Sequence, residues 1–438
     1  MSAREKQRNC QHAVFQGCTI FCIFAVIFAV ICNLTACRKG REEAGPVTLV
    51  YGTLHLEQEM ETWISEYNLV QDEVKIEIKE YGQEGLEEGL ARLNAELVQG
   101  KGPDLIDLSD INAGPYISLG ILVDIYPLLE ADPELQPDFF MPGGLKLYET
   151  GGHLYGIAPG YRLETLMGER AVLGEPEDWT VEKMCGFINE LPQGSSFVNY
   201  LGSLGFLRIV LHRGMEEYVD WETGTCSFDS DDFRELLGLA AMMDTLPLFE
   251  NEEQAFAEGK LLANRVYISS PEDYGASVSL FQGEPTVCVG FPSREGGGAL
   301  VTPYLPIGIR SGEKQDAAWK FVKSLLENEF QEKHIRFNFP LRRDSLQKML
   351  AEAAVRFAED KSGEITLRKE DCDALYEVIY STGYSQVFDT NIWEIIEEEA
   401  ETCFAGDKSI EEAAGVIQSR AEIYVQENYA LGIRQDGL

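Results

Sequence analysis

The amino-acid sequence predicts an α/β fold, on three observations. Beyond residue 45, short apolar runs alternate with helical stripes in the order strand, helix, strand, helix, strand. The chain has 438 residues, which at ~100–200 residues per domain means two or three domains or one bilobal body. Apolar residues make up 45%, enough for a sizeable core without disulfide staples. Alternation of this kind implies right-handed crossovers and a largely parallel sheet.

The elements follow in order. Pro46 to Tyr51 is an apolar run ending at Gly52, a buried strand. Leu56, Met60, Trp63, Ile64 and Tyr67 recur at helical spacing. Val74, Ile76 and Ile78 alternate with Lys75, Glu77 and Lys79, which makes a strand with one wetter face. Leu86, Leu90, Leu93 and Leu97 form the next helix, stopped by Gly100 and Gly102. Asp104 to Leu108 follows Pro103 as a short strand. In the middle, Thr180 caps a helix and Phe206 to Leu211 fits helix or strand equally. Asp220 to Phe228 reads as a hairpin turned at Gly224, and Asp229 to Asp232 caps a helix carrying Phe233, Leu236, Leu237, Leu239 and Met243. Trp179 and Trp221, beside a cap and a hairpin turn, are assigned to packing. Strands are expected at Leu261 to Ser269 and Thr286 to Phe291, a flexible break at Gly296 to Gly298, one strand over Ala299 to Ile309 and one helix over Lys314 to Phe330. From Asp344 onward the chain reads as mostly helical, with acidic faces.

Charge narrows the function. Lys and Arg number 36 against 74 Asp and Glu, a net of −38. Nucleic acid and bare anionic membrane need clustered cations, and no basic block exists beyond Arg41.

The first residues carry Arg4, Lys6 and Arg8 and then an uncharged run, Cys18 to Cys32. At ~1.5 Å per residue that run reaches about 22 Å, short of a bilayer core, so the layout is that of a secretory signal. Leu34-Thr35-Ala36-Cys37 resembles the bacterial lipobox, which implies cleavage before Cys37 and lipid on its thiol. Residues 1–36 are then the signal peptide and 37–45 a lipidated tether. Removing residues 1–36 takes away three cations and one anion and leaves the chain at −40. More than one acyl chain on Cys37 would hold the protein on the outer face of the cytoplasmic membrane. Cys185, Cys226, Cys288, Cys372 and Cys403 are scattered and odd in number, so they read as small buried apolar residues.

Catalytic signatures are missing. The sequence has no G-x-S-x-G, no H-E-x-x-H and no G-x4-G-K-S/T, and the acidic run at Asp229 lacks the glycine of a calcium loop. A binding protein without catalysis, cofactor or metal is the expectation.

Several stretches carry a family likeness in order. Gly102-Pro103-Asp104-Leu105 matches a G-P-D-L/V motif, and Gly120 to Ile125 a G-x-L-x-D/P-L stretch. Gly152 to Ile157 matches G-x-x-Y-G-I/L-P except that Ala158 precedes Pro159. Ala317-Ala318-Trp319-Lys320-Phe321-Val322-Lys323 matches an A-W-x-F-x-K helix, and Phe339-Pro340 a proline turn. Over nearly all of residues 46–438 the chain thus resembles bacterial extracellular solute-binding proteins of the sugar-binding, maltose-binding-protein type, the receptors of ABC importers. The family's Y-Y-N after the hinge is here Thr165-Leu166-Met167-Gly168.

The resemblance implies a two-lobed type II periplasmic-binding-protein-like fold with a hinge and an interlobe cleft. The first lobe would hold 46–158 with 303–342, and the second 160–300 with 344–438. The protein would be a monomer that closes on a small solute and delivers it to ABC permease subunits. Loops at the carboxyl ends of strands face the crevice in such sheets, which nominates Tyr51, Thr53, Ser109 and Asp110 in the first lobe. Tyr161, Arg162, Tyr267, Ser269 and Ser270 are nominated in the second, and Tyr304 at the return crossing. Tyrosine faces stack on a pyranose while Asp, Arg and Ser bind its hydroxyls, so the expected ligand is a sugar or oligosaccharide. Alternatives are a peptide, an amino acid or an anion, for which Arg162, Arg265, Arg310, Arg342 and Arg343 are the candidate cations, or a role as ligand sensor for a membrane kinase.

Overall fold

Two sheets organise the chain in the computed structural model, which describes residues 45–220, 223–281, 284–359, 367–382 and 388–435. The signal peptide, the Cys37 lipobox and Trp221 lie outside the described residues.

The first sheet forms as the alternation predicts. Strands β1 (Val47–Thr53), β2 (Val74–Glu80) and β3 (Leu105–Asp107) are connected through helices α1 (Gln58–Val70) and α2 (Leu86–Val98). β1 pairs in parallel with β2 on one side and with β3 on the other. One face of this sheet, through Leu49, Tyr51 and Leu105, packs on Met60, Trp63 and Ile64 of α1. The other, through Ile106 and Leu108, packs on Leu93 and Leu97 of α2.

The second sheet is built around one long strand, β4 (Gly160–Glu169). Helices α3 (Val181–Asn189), α4 (Ser203–Gly214) and α5 (Asp231–Met243) follow it. Thr180 and Ser230 cap α3 and α5 by accepting the amides of Lys183 and Phe233, as their sequence positions predict. The ambiguous run at Phe206 is helical, inside α4. Strand β5 (Ala263–Ile268), helix α6 (Pro271–Ser279) and strands β6 (Thr286–Cys288) and β7 (Leu300–Tyr304) come next. All three strands pair antiparallel with β4. Trp179 is fully buried, stacks on Phe197 at 5.3 Å, and donates its indole N–H to the Leu173 carbonyl.

Three expectations change. The run from Ala299 to Ile309 is two strands, because β8 (Ile307–Ile309) leaves β7 and joins β3 in the first sheet. Between them Leu305 sits at φ +55°, a left-handed conformation that a bulky residue rarely adopts. The helix from Lys314 breaks into α7 (Gln315–Leu325) and α8 (Asn328–Lys333), with Glu327 in extended backbone between them. Gly296 to Gly298 is a close-packed turn and not a flexible break. The Gly297 amide donates to the Pro176 carbonyl, and a Cβ on Gly297 would lie 1.9 Å from the Val289 carbonyl oxygen.

The chain passes between the sheets at three neighbouring places. Ile157 bridges to Ile307 just before β4 begins. Leu305-Pro306 carries the chain back, and β9 (Phe339–Pro340) pairs with the start of β4. Gln331, fully buried, clips these crossings together: its amide donates to the carbonyls of Pro159 and Leu325 and accepts from the Arg342 N–H. Helices α9 (Arg343–Glu359), α10 (Lys369–Ser381), α11 (Thr390–Phe404) and α12 (Ile410–Gln435) complete the second lobe. α9 and α10 cover the β4 face that carries Tyr161 and Leu163, and α11 and α12 join α4 and α5 over the face that carries Leu166.

Candidate functional site

The carboxyl ends of β1 and β3 lie side by side, so the loops after them, 54–57 and 108–113, form one rim. A polar knot sits beneath it. The Asp107 Oδ1 atom accepts the amide and the hydroxyl of Ser109, at 2.9 and 2.7 Å. Its Oδ2 atom lies 2.7 Å from the Thr53 hydroxyl, which accepts the His55 amide. Thr53 and Tyr51 are inside β1 and buried, so their side chains serve this knot. Asp110 and Ser109 are exposed on the rim.

The second lobe contributes a patterned sheet face. Side chains on β4 alternate, so Arg162, Glu164 and Leu166 share one side. Their cross-strand partners, Thr302 and Leu300 on β7 and Tyr267 and Arg265 on β5, share it too. Toward Glu169 that face is apolar core, around Leu166. Toward Gly160 it is polar. The Arg265 guanidinium donates to the buried Glu164 carboxylate at 2.5 Å and lies 5.1 Å from the ring centre of Tyr267, which is 57% exposed. Arg162 is exposed and forms no ion pair among the described residues.

Tyr304 joins the two lobes. It ends β7 and faces Glu59, in the first turn of α1. Burial, the hydrogen bond to Glu59 and the charges of Glu59 and Glu57 push its phenol up, and Arg162 opposes this. The structure therefore brings Arg162, Tyr267 and Tyr304 onto one face, and Tyr304 links that face to Glu59 of the first lobe. Three other nominated residues are used elsewhere. Tyr161 points to the opposite face, is buried beside Phe339, and its hydroxyl has no hydrogen-bond partner among the described residues. Ser269 donates its amide and hydroxyl to Asp273 while Ser270 caps α6, so both serve the helix start.

The candidate anion-binding arginines are dispersed. Arg310 pairs with Asp104 at the amino end of β3, Arg342 with Asp344, and Arg343 donates to the Phe140 carbonyl. With Arg265 held by Glu164, Arg162 is the one of the five on this face without such an anchor.

The thiols of Cys185, Cys226 and Cys372 are pushed up to about 11 and that of Cys288 to about 12, all chiefly by burial, the reverse of what a reactive thiolate needs. Among the described residues no group of three or more His, Cys, Asp or Glu side chains is gathered to hold a metal. Concavities of about 410 Å³ beside Ser203 and Phe404 and about 230 Å³ beside Asp104 and Lys314 each draw on one lobe alone.

Sequence reading missed Glu164, Asp107 and Glu59, and named Arg265 only as a candidate cation for an anion. Arg162 and Glu164 alternate with apolar neighbours, a visible pattern that already places both on one face. Asp107 interrupts the apolar run of a buried strand, which is itself a cue.

Comparison with known proteins bears on the fold. No protein-family model matches the chain, and no curated sequence matches it either. Among solved structures, the sugar-binding protein MalE of Xanthomonas citri is similar at a TM-score of 0.61 and 14% identity, over 88% of this chain and 99% of that one. An extracellular solute-binding protein of family 1 from Alicyclobacillus acidocaldarius has a TM-score of 0.56 at 15% identity, over 87% and 99%. An ABC transporter solute-binding protein from Thermotoga lettingae, bound with alpha-D-tagatose, has a TM-score of 0.53 at 15% identity, over 86% and 100%. The chain therefore has the two-lobed fold of these binding proteins.

Proposed function

We propose that the protein is a lipid-anchored extracellular solute-binding protein that captures a sugar or oligosaccharide between its lobes and delivers it to an ABC importer. One observation carries the reading: a polar, aromatic sheet face bears Arg162, Thr302, Tyr267 and Tyr304 beside the crossings between the sheets, and Tyr304 there reaches Glu59 of α1 on the first sheet. Tyrosines with mixed hydrogen-bonding groups suit a polyhydroxylated ring. The similar solved structures include proteins described as binding sugars, and the missing catalytic motifs favour binding over turnover. Dispersal of the arginines argues against a dedicated anion pocket.

In this reading the lobes are 46–158 with 303–342 and 160–300 with 344–438, and the adjacent crossings are the hinge. Asp110, Arg162, Tyr267 and Tyr304 touch the ligand directly. Thr53, Tyr161 and Ser269 reach it only through rearrangement. Cys37 carries the lipid and places the protein on the outer face of the cytoplasmic membrane, beside permease subunits.

A thermal-shift screen against mono- and oligosaccharides tests the ligand class. A ligand that binds only the native state raises the melting temperature, by about 2.7 kcal/mol of stabilisation at a hundredfold excess over Kd. A shift with amino acids, peptides or anions and none with sugars would move the assignment to that class. Cys37→Ala should abolish lipid labelling and membrane retention.

A further inference from the structure

We propose that Asp107 is the positioning residue of the cleft, a buried acid that in its protonated form holds both first-lobe loops in place. The inference rests on the cleft reading above, and its test does not require a ligand.

Proton counting carries it. The Thr53 hydroxyl lies 2.7 Å from the Asp107 Oδ2 atom and 2.7 Å from the His55 carbonyl oxygen, while accepting the His55 amide at 3.1 Å. A threonine hydroxyl has one proton to donate. If Asp107 is ionised, that proton serves either the carboxylate or the carbonyl, and the other short oxygen–oxygen contact holds no hydrogen. If Oδ2 carries a proton, it donates to Thr53, Thr53 donates to His55, and every contact is a hydrogen bond. Oδ1 remains free to accept the Ser109 amide and hydroxyl. One carboxyl group thus ties loop 54–57, through Thr53, to loop 108–113, through Ser109.

The surroundings make the charge of an ionised Asp107 costly. Asp107 is 5% exposed and forms no ion pair among the described residues. It is flanked by Thr53 of β1 and Ile307 of β8. The titratable groups that face it are Tyr51, from β1, and Tyr148, from the segment after residue 146; Glu57 acts on Tyr51 from the start of α1. Desolvation raises the Asp107 carboxyl above its ordinary value, against hydrogen bonds from Ser109, Thr53 and Tyr51 that lower it. Both phenols are pushed up chiefly by burial, and an ionised Asp107 would push them further.

Hydrogen–deuterium exchange of the free full-length chain, corrected for intrinsic rates, tests the proposal. Peptides covering 54–57 and 108–113 are read for the wild type, Asp107→Asn and Asp107→Ala from about pH 4 to about pH 9, with α7 as internal reference. Asparagine has the shape of the protonated acid and donates to Thr53 as it would. Expected are wild-type protection of both loops falling about tenfold as pH rises, a flat protected profile in Asp107→Asn, and loss in Asp107→Ala at every pH with α7 unchanged. A flat wild-type profile, or Asp107→Asn loops as loose as those of Asp107→Ala, overturns the proposal. If the loops behave as expected and the sugar screen is blank, the fault lies with the ligand class and not with Asp107.

Discussion

Asp104 and Asp107 sit at the two ends of one short strand, each 5% exposed, and their environments are opposites. Asp104 accepts the Arg310 guanidinium at 2.9 Å, the Lys314 ammonium at 3.1 Å and the Val50 amide at 3.0 Å. Asp107 has only neutral partners: Ser109, Thr53 and Tyr51. The amino end of β3 is closed by charge, between the strand and the chain after β8. The carboxyl end, which faces the rim, is closed by hydrogen bonds that one proton can make or break. A buried carboxylate with two cations behaves as a staple, and one without a cation responds to pH.

The sharpest way to break this comparison is to make the same substitution at both ends. Asp104→Asn leaves Arg310 and Lys314 facing a neutral group. It should cost about 2–3 kcal/mol, less than a fully buried pair because Lys314 is half exposed. Asp107→Asn should change stability by less than about 1 kcal/mol, since the amide replaces a protonated acid of the same shape. Urea unfolding of both variants measures the difference, and equal losses would erase the distinction.

The next effect is at the crossings that join the sheet of Asp104 and Asp107 to the second sheet. Gln331→Leu removes the amide that joins the Pro159 and Leu325 carbonyls to the Arg342 N–H. Stability should fall by about 1–3 kcal/mol, read by chemical unfolding, because buried polar groups lose their partners.

A smaller effect sharpens the site. Tyr267→Ala should leave the melting temperature nearly unchanged, because the ring is more than half exposed, and should weaken sugar affinity about tenfold by calorimetric titration. Normal affinity would remove Tyr267 from the site.

The smallest effect is at Asp344, whose carboxyl Arg342 holds down at about 2. A depressed carboxyl adds stability above the unfolded value near 4 and loses it as pH falls through about 2. The acid limb of the stability profile should therefore be slightly shallower in Asp344→Asn, a modest change because the side chain is half exposed.

How much of this was legible in the sequence differs by region. The first five elements were read correctly because helical stripes, the alternation of β2 and short apolar runs for β1 and β3 each match how the element is buried. The run Ala299 to Ile309 was misread as one strand because both of its parts are apolar and extended. The local mark of the place where the chain changes sheets is Pro306, directly after Leu305, which the reading as one strand passed over. Tyr267 was nominated as a strand end, and Tyr304 and Arg162 as residues beside the crossings between the lobes. Tyr161 was nominated with Arg162 but falls on the other side of β4, since a neighbouring strand residue points the opposite way.

By itself the sequence determined the α/β class, the alternation that builds the first sheet, the helix caps at Thr180 and Ser230, and the acidic surface. These depend on period, propensity and charge count, which are properties of short segments. Only the tertiary structure decided that β8 leaves β7 for the first sheet, that Gln331 clips the crossings, and that Glu164, Arg265 and Tyr267 share a face. It also decided that Asp104 meets two cations while Asp107 meets none. Whether a buried carboxyl is a staple or a proton-dependent tie depends on what lies within hydrogen-bonding distance of its oxygens. At Asp104 those groups come from residues about two hundred positions away along the chain, a pairing that no local pattern records.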